Sequence, residues 1–75
     1  MKLIINGEER EFKDSFSIEQ ILDKLQIKDK AMAVAVNMEI VKKDKWDSFI
    51  PKENDKIEIL QFVGGGWDYF STPKI

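Results

Sequence analysis

Seventy-five residues make one domain, near the lower size at which a chain stabilises itself without staples. The chain has no Cys and no His, which removes disulfides, thiol nucleophiles, imidazole bases and the usual zinc ligands. A net charge of −2 with both signs interspersed provides no basic stripe for a nucleic-acid backbone.

Stability must therefore come from a single apolar core, and 43% hydrophobic residues are enough to build one. The longest apolar run, Ala31 to Val36, is far too short to span a bilayer. The expected location is the cytoplasm, with no membrane partner.

The chain opens with KLIINGEEREF. Asn6-Gly7 predicts a tight hairpin, because both residues tolerate the positive φ of a type I′ turn. Leu3 and Ile5 mark the buried side of the first arm, and Phe12 belongs to the second.

FSIEQILDKLQI follows as a helix. Ser17 is positioned to cap it, Gln20 to complete a capping box, and Phe16 and Ile21 to form a hydrophobic staple. Ile18, Ile21, Leu22 and Leu25 fall on one face. So short a helix is marginal alone and must dock on the sheet.

AMAVAVN reads as a strand buried on both faces, its small Ala33 and Ala35 alternating with Met32, Val34 and Val36 to suit one roomy and one tightly covered face. Glu39-Ile40-Val41 is a short return strand. Trp46 and Phe49 then pin a helical turn to the core. Pro51 to Asp55 is loop, and KIEILQFV alternates as a final strand. The whole is an α+β roll with one core layer.

That strand runs into Gly64-Gly65-Gly66. One local reading is a turn folding Trp67 to Phe70 back onto the sheet. The other is a backbone without Cβ atoms, able to thread a narrow channel in a partner. Ordering three glycines is costly, and few turns need that many. Local physics leaves both open.

The stretch AVAVNMEIVKKDKWDSFIPKENDKIEILQFVGGG resembles the thiamine-biosynthesis sulfur carrier (ThiS) family of small ubiquitin-like proteins. The matching features occur in order: Asn6-Gly7, the Ala-Val strand ending at Asn37, Ile40-Val41, a basic patch with Trp46, an acidic turn, and Ile57 to Leu60 leading into glycines. The likeness spans Lys2 to Gly66. Met38 departs from it, standing where a smaller or polar turn residue is usual.

The resemblance implies a β-grasp roll: a mixed four- to five-stranded sheet with one helix packed across it. It also implies a carrier rather than an enzyme. In such carriers the terminal glycine carboxylate is adenylated by an ATP-using, ThiF-like partner and converted to a thiocarboxylate. The sulfur then passes to a ThiG-like thiazole synthase. Gly65 and Gly66 match the terminal pair, with Gly66 the residue to be activated. Phe62, Val63 and Gly64 become candidates for docking on the activating partner, with core capping as the structural alternative for Phe62 and Val63. No metal and no cofactor of the chain's own are implied.

Here the sequence departs from the pattern, because WDYFSTPKI follows Gly66. Joined to Trp67, Gly66 has an amide in place of a carboxylate and cannot be adenylated. The expected organisation is a carrier domain, 1–66, and an extension, 67–75, removed by a processing protease. Alternatives are a cloning remnant, or a permanent tail that makes the protein a ubiquitin-like binding module. The small subunit of molybdopterin synthase shares the fold and the double glycine, and attachment of Gly66 to target lysines is a further reading.

Overall fold

The computed structural model describes residues 1–63 and 66–69. In chain order it has β1 (Lys2–Ile5), β2 (Glu8–Glu11), α1 (Ile18–Lys24), β3 (Ala31–Val36), β4 (Glu39–Val41), a 3₁₀ helix (Lys43–Lys45), β5 (Lys56–Val63) and β6 (Gly66–Tyr69). The sheet runs β2-β1-β5-β3-β4, and β6 pairs with β5 outside that line. β1 and β5 are parallel while every other pairing is antiparallel, so the sheet is mixed. This is the expected α+β β-grasp roll, with β6 added to the five strands.

The two-residue turn between β1 and β2 is the one Asn6-Gly7 predicts, with φ of +49° and +86°. Leu3 and Ile5 point inward and are buried. Glu8 to Glu11 form a charged outer strand, which discourages pairing with another sheet edge. Phe12 lies just past β2 and is half-buried against the core.

The helix begins as its sequence requires. Gln20 N–H donates to Ser17 Oγ at 3.2 Å, and Ser17 N–H donates to Gln20 Oε1 at 2.9 Å. Such a cap is worth about 1 kcal/mol. Ile18 and Glu19 N–H groups donate to the carbonyls of Phe49 and Trp46. The exposed first turn is therefore satisfied from a distant loop as well as locally.

Its end comes earlier than the apolar spacing suggests. The helix stops at Lys24, with Leu25 as C-cap. Gln26 turns to φ +62°, while Gln26 N–H donates to Asp23 O and Ile27 N–H to Leu22 O. That is a Schellman closure with glutamine in the place glycine usually takes, and Ile27 is tucked into the core behind it. Ile18, Ile21 and Leu22 meet Leu3, Ile5, Val34, Val36, Ile57 and Ile59 in one cluster.

β3 corrects the expectation of burial on both faces. Val34 and Val36 are buried against the helix side, but Ala33 and Ala35 are half-buried and Met32 is 45% exposed. The only α-helix among the described residues lies on one side of the sheet, and the register shifts between Ala31 and Ala33, turning Met32 outward. A wholly apolar strand of small residues thus leaves one face uncovered.

Trp46 behaves as the sequence indicates: it is 4% exposed, and its Nε1–H donates to Val41 O at 2.9 Å. Phe49 is the correction, being 37% exposed and absent from the buried core, and it contributes through its backbone carbonyl instead. One aromatic ring pins this segment, not two.

Candidate functional site

The strand leading to the glycines is β5, and it lies in the middle of the sheet. Ile57 and Ile59 are buried against the helix side, whereas Glu58 and Leu60 are half-buried on the opposite face. This alternation follows from the pleat, which sends successive residues to opposite faces. The strand is anchored along its length before it reaches residue 63.

Its two edges are held differently. Along one edge β3 pairs from Ile57 to Gln61. At the start of that edge Asn37, with φ +50° in the β3–β4 turn, acts through its side chain and backbone. Lys56 N–H donates to Asn37 Oδ1 at 3.0 Å, and Asn37 N–H donates to Lys56 O at 2.7 Å. Asn37 Nδ2 also donates to Asp55 Oδ1 at 3.0 Å, which fixes the loop entering β5.

On the other edge β1 reaches only Lys56 and Ile57 before the chain turns away at Asn6. Asn6 N–H donates to Ile57 O at 2.8 Å. The Asn6 side chain then stands in for a missing strand residue. Ile59 N–H donates to its Oδ1 at 2.8 Å, and its Nδ2 donates to Ile59 O at 3.2 Å. Beyond this clasp, β6 takes over, with Val63 opposite Gly66, Phe62 opposite Trp67, Gln61 opposite Asp68 and Leu60 opposite Tyr69.

Phe62 and Val63 thus end β5, and Gly66 is the first residue of β6. Gly64 and Gly65 lie outside the described residues, as do 70–75. β6 crosses the boundary between residues 66 and 67.

On the face away from the helix, Ala33, Ala35, Ile40 and Leu60, with Glu58, line a shallow apolar hollow. Ala35 stands between Ile40 and Glu58 across the strands, and Ala33 is opposite Leu60. The small residues form its floor, and Ile40, 70% exposed, forms a wall. Among the described residues no three Asp or Glu side chains come together to hold a metal ion. No helix among them is long and apolar enough to cross a membrane.

Sequence reasoning placed β5 correctly, but it read Asn6 as a turn residue alone and Asn37 as the end of a strand. Their side-chain bonds to β5 join positions up to 53 apart in the chain, and no local pattern announces them. The alternating alanines marked two unlike faces, but both were read as buried, so the open floor of the hollow was missed.

Residues 3–66 match the model of the ThiS family. The chain is 44% identical over 68 residues to a thiazole synthase of Paramagnetospirillum magneticum, a match covering 91% of this chain and 21% of that protein. It therefore spans about a fifth of that relative's length. It is 35% identical over 65 residues to the sulfur carrier protein ThiS of Bacillus subtilis, covering 85% of this chain and 98% of that one. Among solved structures it is similar to a thiamine biosynthesis protein (ThiS) from Geobacter metallireducens. The TM-score is 0.73 at 27% identity, and the match covers 88% of this chain and all of the other.

Proposed function

Because the chain belongs to the ThiS family, we propose that it is a sulfur carrier of thiamine biosynthesis, with Gly66 as the residue that carries the sulfur. The observation behind this reading is that the family match ends at residue 66. Gly66, the last residue of that match, lies three residues past the end of β5 at Val63, a strand held on both edges.

The chemistry belongs to the main chain. A carboxylate is a poor acyl donor, so Gly66, once it is a terminus, attacks the α-phosphorus of ATP on a ThiF-like enzyme and displaces pyrophosphate. The resulting mixed anhydride places AMP as leaving group on the glycine carbonyl. A sulfur nucleophile supplied by the partner adds there, AMP departs, and a thiocarboxylate remains. The carrier's own part is presentation, and no catalytic side chain is required of it. A ThiG-like thiazole synthase is the proposed acceptor. The similarity to two proteins named thiazole synthase, from Paramagnetospirillum magneticum and Magnetococcus marinus, supports that partner.

The scheme requires cleavage of the Gly66–Trp67 bond. Incubating the 75-residue chain and a chain ending at Gly66 with ATP, a ThiF-like enzyme and a sulfur donor tests it by intact mass. Only the shorter chain should exchange one oxygen for sulfur. A shorter chain that is never adenylated would overturn the reading. The pairing of β6 across this bond favours a second reading, a ubiquitin-like binding module that keeps its extension. Native cells would then contain only uncut protein.

A further inference from the structure

The backbone polar groups of β5 alternate between its two edges. The bonds of Asn6 to Ile57 and Ile59 show that the odd-numbered residues face the β1 edge. Gln61 and Val63 therefore face that same edge, beyond the reach of β1 and of the Asn6 side chain. In this structure the strand beside them is β6, through the pairs Gln61 with Asp68 and Val63 with Gly66.

In that arrangement Gly66 sits beside Val63, about 5.5 Å away for a paired antiparallel position. An extended arm would instead carry it about 10 Å beyond Val63. Presentation of Gly66 and pairing of β6 thus exclude each other. Once β6 leaves, two N–H and two C=O groups on a central strand become an open edge. Such an edge is a template for added strands, since a row of unpaired backbone groups recruits another extended segment. Asn6 sets its inner limit, because Ile59 is already satisfied.

We propose that the β5 edge at Gln61 and Val63 is a strand-docking site. The chain fills it with its own β6, and in the carrier ending at Gly66 it accepts an extended segment of a partner protein, added antiparallel. The occupant's chemistry is indicated by β6 itself, which has Trp67 and Tyr69 at the positions opposite Phe62 and Leu60. Large apolar residues at alternate positions suit cross-strand pairing. The site thus selects an extended segment of that pattern, held by main-chain bonds beside the arm. The inference rests on the carrier reading only in that release of Gly66 is what vacates the edge.

Amide hydrogen exchange on the full chain, with and without Asp68→Pro, provides the test. Proline removes the N–H that Asp68 contributes to the ladder. In the wild type, Gln61 and Val63 amides should be protected. In the variant their exchange should rise at least about tenfold, with Val34 and Ile59 unchanged as internal controls. A synthetic peptide Gly-Trp-Asp-Tyr-Phe, added at millimolar concentration, should restore protection at both amides in the variant and leave the wild type unshifted. If the proline disturbs Val34 or Ile59, the chain ending at Gly66 replaces it, its length being that of the full carrier relatives. Unchanged exchange at Gln61 and Val63, or a peptide that binds neither altered chain, or one that binds the wild type equally well, would overturn the proposal. Failure of the shorter chain to become thiocarboxylated would end the carrier reading and leave the peptide result standing.

Discussion

Asn6 closes a hairpin and clasps the central strand, and the two roles separate by substitution. Asn6→Gly keeps the left-handed backbone accessible but removes both side-chain bonds to Ile59, at 2.8 and 3.2 Å. Each bond is worth about 0.5–1.5 kcal/mol net, rising toward about 1–3 kcal/mol where a buried partner is left unmatched. Ile59 is fully buried, yet the bonds themselves are only partly so, and water recovers some of the loss. The expected cost is therefore about 2 kcal/mol. For a domain of this size that lowers Tm by about 8–16 °C. Asn6→Ala should cost about 1–2 kcal/mol more, because a Cβ is forced into the φ +49° conformation. Urea unfolding measures both variants, and amide exchange at Ile59 shows whether the clasp is what was lost. A glycine variant within about 0.5 kcal/mol of wild type, with Ile59 still protected, would refute the clasp.

Met38 stands in the β3–β4 turn at φ +73° and is 91% exposed, so its side chain loses little packing on removal. Met38→Gly should stabilise the fold by about 0.5–1 kcal/mol, the relief of left-handed strain exceeding the added freedom of the unfolded chain; thermal unfolding reads the gain. Trp46→Phe keeps a ring in the core but leaves the carbonyl of Val41 without its indole donor. It should cost about 1–2 kcal/mol in urea unfolding, and a neutral result would mean that water replaces that bond.

Local chemistry made much of the fold legible. Asn6-Gly7, the Ser17–Gln20 box and the alternation of Lys56 to Val63 each carry their conformation within a few residues. The helix end was harder, because Gln26 adopts a backbone conformation that glycine usually marks. The second face of β3 was misread because small apolar residues look alike whether a helix covers them or solvent does. At the candidate site the strand up to Val63 was legible, while Gly64 and Gly65 lie outside the described residues. What holds that strand was not, since Asn6 and Asn37 act across long sequence distances, and locally the first reads as an ordinary turn residue and the second as a strand end. The backward pairing of the residues after Gly66 onto β5 was one of two readings that the glycines and aromatics left open, and local physics alone did not choose between them.

The placement of β5 also bears on how the protein is made. The strand is seventh of the eight helices and strands among the described residues, yet it lies between β1 and β3, near the middle of the sheet. A ribosome therefore delivers the centre of the molecule nearly last. Until Ile57 and Ile59 emerge, the core lacks two of its most deeply buried side chains, and β1 has no inner neighbour. Domains generally fold as units during synthesis, and pairings as distant as Ile4 with Lys56 close slowly. A nascent chain of this protein is thus expected to complete its core only late in synthesis. The body becomes a folded domain only as the strand that bears the glycine arm leaves the exit tunnel.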